Sequence, residues 1–124
     1  MLKTFLLFGS STAFLAVALG AFGAHYLKTR LSTEMLAVYQ TGVQYQMYHA
    51  LALILIAILS TKLTHTAAIS WSGWLLLAGM ILFSGSLYAL SLSGIKALGA
   101  ITPLGGVAFL AGWVMLAVAV LKQT

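Results

Sequence analysis

Residues 51–59 read LALILIAIL, nine apolar side chains in succession. A strand of a membrane barrel alternates apolar and polar residues, because its two faces meet lipid and lumen. This stretch does not alternate. A segment that is apolar on every side satisfies its backbone in hydrocarbon as an α-helix. The residues before it, TGVQYQMYH at 41–49, are unlike it: they are rich in amide, hydroxyl and imidazole groups. One predicted span, about 41–60, therefore has a polar half and an apolar half.

The seven charges divide the rest of the chain. They are Lys3, Lys28, Arg30, Glu34, Lys62, Lys96 and Lys122. The uncharged runs between Lys3 and Lys28, Glu34 and Lys62, Lys62 and Lys96, and Lys96 and Lys122 hold 24, 27, 33 and 25 residues. A membrane helix needs roughly 20 apolar residues, so each run holds one. The expected fold is all-α, four transmembrane helices at about 4–27, 41–60, 70–91 and 103–121 in an antiparallel bundle. The whole of 1–124 reads as a single integral membrane domain. The first run is longer than the 7–15 apolar residues usual for a signal peptide, and it is read as a helix.

Composition agrees. Of 124 residues, 62% are hydrophobic and 6% charged, against about 25% charged in soluble domains. This excludes a soluble enzyme, a nucleic-acid binder and a disordered segment. The lipid bilayer is the first expected partner. With both termini and the 61–69 loop on one side, Lys3, Lys62 and Lys122 face Lys28, Arg30 and Lys96. The positive-inside rule is tied. The expectation carried forward is a bacterial plasma (inner) membrane with the termini in the cytoplasm.

Loop chemistry sets two helix starts. Ser32 or Thr33 can cap the second helix, with Glu34 in a first turn that favours negative charge, so a short interfacial helix should precede that span. Thr102 is a candidate cap and Pro103 a good first residue for the fourth. Small residues recur at Ala16, Gly20 and Ala24 and at Ala108 and Gly112, a spacing that lets helices approach in lipid.

Because the helices alternate in direction, the distinctive segments share one membrane face: GAFGAH (20–25), YQTGVQYQMYH (39–49), LFSGSLY (82–88) and TPLGG (102–106). Gln40, Gln44 and Tyr48 form one i,i+4 row, and Thr41, Tyr45 and His49 its neighbour. Ser84, Tyr88 and Ser91 share a stripe. His49 should lie roughly 10–12 Å below the start of its span. Polar groups in hydrocarbon need partners. The expectation is a network joining His49, Tyr45 and Gln44 to the serines of the third helix or to His25.

Two readings follow. In one, His25, Gln44, Tyr45, His49, Ser84, Ser86 and Tyr88 line a polar pocket for a lipid head group, a small polar molecule or an ion. Lys28, Arg30, Lys96, Gly105 and Gly106 would hold an anion or head group near the start of the fourth helix. In the other, the same residues are interhelical clamps of a structural or assembly subunit. Transport by four helices would require a homo-oligomer.

Much chemistry is excluded. Glu34 is the one carboxylate, so there is no acidic pair and no calcium or magnesium set. A Ser84–His49 pair would have no acid to orient it. Zinc would need more histidines on one face than the sequence places there. No metal, cofactor or enzymatic activity is expected.

Four blocks carry a resemblance: GAFGAH at 20–25, TGVQYQMYHALAL at 41–53, LFSGSLYAL at 82–90 and TPLGGVAFLAGW at 102–113. In this order the chain resembles the family of small four-helix inner-membrane proteins typified by bacterial YgdD and YwdK, with a eukaryotic transmembrane relative. The resemblance implies four spans and brings no assigned activity. It implies motif positions at His25, Thr41, Gly42, Tyr45, Gln46, His49, Ser84, Gly85, Ser86, Tyr88, Thr102, Pro103, Gly105 and Gly106.

Overall fold

The computed structural model describes residues 1–64 and 66–123, and the side chain of Thr66 is not part of that description. His65, predicted to sit in the loop between the second and third spans, lies outside the described residues. The elements are α1 (Leu2–His25), a 3-10 turn (Leu27–Thr29), α2 (Thr33–Leu59) and α3 (Thr66–Gly79). A π turn (Met80–Ser84) carries α3 into α4 (Gly85–Ser93), and a second 3-10 turn (Lys96–Ala100) leads to α5 (Thr102–Leu121). Four stretches are long and apolar enough to cross a membrane: Leu2–His25, Thr33–Leu59, Ala67–Ser93 and Lys96–Leu121. The chain is an all-α, multi-pass membrane protein. The third span is α3, the π turn and α4 taken together.

Local chemistry explains the ends. Ser32 caps α2, its hydroxyl accepting from the Met35 amide at 3.1 Å, with Glu34 in the first turn. No break separates an interfacial turn from the span; α2 is one helix of 27 residues, roughly 40 Å long. α4 ends at Gly94, whose φ of 75° is the left-handed cap that glycine adopts without a Cβ penalty. The expected Thr102 cap does not form. Ile101 precedes α5, Pro103 lies in its first turn, and the Thr102 hydroxyl is engaged by Ser86 instead.

α2 is the centre of the bundle. α1 packs along one side of it, the third span along another, and α5 closes against the third span. Of the expected small residues, Ala16 and Gly112 sit in the seams and Gly20 lies against Val43, but the seams do not follow i+4 rows. The buried face of α1 is Phe5, Gly9, Ala16 and Gly23, with Thr12 and Leu19 contributing backbone carbonyls. Steps of four and three alternate along it, the 3.5-residue period of a coiled-coil seam. Ala24, off that period, is exposed. α5 repeats the pattern with Gly105, Phe109, Gly112, Leu116 and Ala119.

Two glycines permit the closest crossings. A Cβ on Gly9 would lie 2.7 Å from Ile54 Cγ1 and 2.9 Å from the Ala50 carbonyl oxygen. A Cβ on Gly105 would collide with the backbone of Phe83 in the π turn. A core that includes Phe5, Leu53, Ile56, Ile69, Leu76 and Phe109 fills the bundle. Leu7, Phe14, Val17, Leu110 and Val114 remain exposed, as lipid-facing positions should.

Candidate functional site

The polar motif residues form a set of ties between helices. Tyr88 donates to Gln46 Oε1 at 2.6 Å, and Gln46 Nε2 donates to the Thr12 carbonyl at 2.8 Å. That relay crosses three spans. Ser84 donates to the Gly42 carbonyl at 2.7 Å, and Tyr39 donates to the Leu19 carbonyl. Ser86 gives its single proton to the Phe83 carbonyl at 2.9 Å, so Thr102 is the donor in the contact between their hydroxyls. Among the described residues, no buried side-chain polar atom lacks a hydrogen-bond partner.

His49 is tied differently from the expectation. Its Nδ1 lies 2.7 Å from the Tyr45 carbonyl oxygen, and Trp113 Nε1–H reaches its Nε2 at 3.1 Å. A carbonyl only accepts and an indole N–H only donates. The ring is therefore neutral, protonated on Nδ1 and accepting on Nε2. Neither Gln44, nor a serine of the third span, nor His25 is a partner. Ser84 is committed to Gly42, so no Ser84–His49 pair forms. α2 starts at Thr33, which puts His49 beyond the midpoint of the helix, roughly 24 Å from its start.

Around this ring lies a groove of about 500 Å³ between α2, the π turn and α5. Tyr45, His49, Phe83, Phe109 and Trp113 line it together with Pro103, Gly106, Val107 and Leu110. His49 stacks on Phe109 with centroids 3.6 Å apart and planes 7° apart. Tyr45 packs on Phe83 at 4.6 Å, and Phe83 on Phe109 at 5.4 Å. The π turn brings Phe83 to this place, and Gly105 lets α5 approach it. The groove follows α5 from its first turn to Trp113, roughly 15 Å along the helix. Its walls are apolar and aromatic. Both His49 nitrogens are engaged and the ring is stacked on Phe109, so it enters the groove as a buried lining residue.

The sequence-predicted pocket residues divide among four places. Tyr45 and His49 line the groove. Ser84, Ser86 and Tyr88 are interhelical ties. Gln44 faces outward beside a separate cleft of about 350 Å³ formed with Gly20, Tyr39, Gln40 and Val43. His25 ends α1, exposed. Of the expected anion set, Lys28, Arg30 and Lys96 are exposed at the loop end, and the Arg30 guanidinium sits 4.5 Å over the Tyr26 ring. Gly105 is buried against Phe83, whereas Gly106 borders the groove with open space where a Cβ would be. Sequence reasoning missed Phe83, Phe109 and Trp113 as wall residues and Thr12 as an acceptor. Phe109 and Trp113 stand four apart on α5, the spacing of one helix face, and that signal was available.

The family model described as "Protein of unknown function (DUF423)" matches residues 19–106. The chain is 53% identical over 121 residues to UPF0382 membrane protein YwdK of Bacillus subtilis, covering 98% of each chain. It is 49% identical over 121 residues to a UPF0382 membrane protein of Staphylococcus aureus, again with 98% of each covered. A UPF0382 membrane protein of Staphylococcus saprophyticus is 47% identical over 121 residues, 98% of this chain and 99% of its own. No solved structure matches the chain.

Proposed function

The chain belongs to the DUF423 family of membrane proteins, and for this member we propose that it binds a membrane lipid, holding one apolar chain in the Tyr45–His49–Trp113 groove. The observation that carries the reading is the groove itself. Its volume of about 500 Å³ lies within the roughly 300–1,000 Å³ usual for ligand sites, and such sites combine apolar walls with a few placed polar groups. A groove running from the start of α5 towards mid-membrane matches a lipid chain hanging from the interface. Lys28, Arg30 and Lys96 at the same end would attract an anionic head group. The small polar molecule or ion is disfavoured, because His49, Ser84, Ser86 and Tyr88 are already held by hydrogen bonds within the chain, and His25 and Gln44 lie away from the groove. The cell location belongs to the same proposal: a bacterial inner membrane, where helical spans rather than barrels are used, with the termini in the cytoplasm.

Gly106→Leu tests it. Gly106 lines the groove, and a Cβ added there would meet nothing within 4 Å. Purified protein in mild detergent, mixed with phosphatidylglycerol and examined by native mass spectrometry, should show lipid adducts that fall at least fivefold in the variant with an unchanged melting temperature. Undiminished adducts would remove the groove from the account.

One observation favours a second reading, a structural or assembly subunit: every described buried polar side-chain atom is satisfied inside the chain. Under that reading Gly106→Leu leaves lipid binding unchanged and the ties serve only the fold.

A further inference from the structure

α2 carries a second polar row that the groove and the ties do not use. Gln40, Gln44 and Tyr48 follow one another at i, i+4 and i+8, and all three are exposed. Among the described residues none of their side chains makes a hydrogen bond within the chain, in contrast to Gln46 and Tyr88 one face away. Depth makes this costly. Gln44 lies roughly 16 Å and Tyr48 roughly 22 Å along a helix of about 40 Å, so both stand well inside a hydrocarbon core some 30 Å thick. An amide or phenol in hydrocarbon without a partner is unfavourable, and lipid tails supply none.

We infer that this face of α2 is the contact between two copies of the chain, related by a two-fold axis along the membrane normal. Three features select a second copy as the occupant. A carboxamide holds a donor and an acceptor. Across a two-fold axis Gln44 of one copy and Gln44 of the other can each donate to the other, and the two Tyr48 hydroxyls can share one hydrogen bond, one donating and the other accepting. The axis keeps each residue at its own depth, so like meets like. The row also carries no charge from Gln40 to Lys62, so two copies do not repel along it. The stripe continues as Leu51, Leu55 and Ile58, all exposed, which supplies apolar contact below the polar pairs. The cleft of about 350 Å³ beside Gln40 and Gln44, floored by Gly20 and Val43, gives a side chain from the facing copy somewhere to enter. Polar side chains at such positions fix partner and register in membrane helices as in coiled coils.

The chain has no cysteine, which makes the test direct. Leu51→Cys, on the same face and with the polar row intact, is expressed in native membranes and oxidised. It should yield a crosslinked species of twice the chain mass. Leu110→Cys, exposed on α5, should stay monomeric under the same treatment. Adding Gln40→Leu and Gln44→Leu to Leu51→Cys should reduce the crosslinked fraction at least fivefold. Those glutamines hold nothing within the chain, so folded yield should be unchanged, as measured by melting temperature. No crosslink at Leu51, equal crosslinking at Leu110, survival of the crosslink without the glutamines, or a product of another mass would each overturn the inference.

Discussion

Two faces of α2 carry the same kinds of residue and meet different fates. On the inner face Gln46 and His49 are 6% and 5% exposed, and each holds two partners. On the outer face Gln44 and Tyr48 are exposed and hold none within the chain. Residue type therefore does not tell a tie from an association surface in this helix. Position relative to the α1 seam and the third span does. The inner face spends its polar groups on holding three helices around a fourth. The outer face keeps its groups unspent, at a depth where water cannot satisfy them.

Substitutions can break this contrast at different strengths. The largest effect is expected at Gly105, because the crossing of α5 over the π turn brings two backbones together. Gly105→Leu forces that crossing apart, and overpacking costs about 1–3 kcal/mol even where side chains can yield. Backbone cannot yield in that way. Folded protein should be lost, which fluorescence size-exclusion chromatography would report as aggregate in place of the wild-type peak. A normal peak would mean that the α5 seam is misplaced. A smaller effect is expected for Trp113→Phe. It leaves His49 Nε2 without its donor while keeping an aromatic ring, and should lower stability by about 0.5–2 kcal/mol. The melting temperature in detergent should fall by a few degrees. No change would place His49 outside the set of ties and sharpen its role as a groove residue alone.

Much of this is legible in the sequence. LALILIAIL and the spacing of seven charges imply four helices, and Ser32 sits at the start of α2 as its chemistry requires. The polar blocks do come together. What could not be read was their pairing. Gln44 and Gln46 differ by two residues, which turns one away from the bundle and the other into it, and that difference depends on where α1 docks. The π turn was also hidden. MILFS has no residue that demands it, yet the turn places Phe83 against Gly105 and Phe109. The partner of His49 lay in the fourth span, on the side of the block that reads as ordinary apolar helix. A distant serine looked more suitable for a histidine than a tryptophan did, because sequence distance hides the fact that an indole N–H in hydrocarbon needs an acceptor as much as the histidine needs a donor.

The contrast between the two faces of α2 is tested most directly by reversible unfolding of monomeric protein in detergent, comparing Gln46→Leu with Gln44→Leu. Gln46→Leu severs the Tyr88 and Thr12 bonds together and should lower unfolding free energy by about 1–3 kcal/mol. Gln44→Leu removes nothing within the chain and should leave it within about 0.5 kcal/mol of wild type. Equal losses in the two variants, or a larger loss at Gln44, would contradict the division of α2 into an inner face of ties and an outer face held for a second copy.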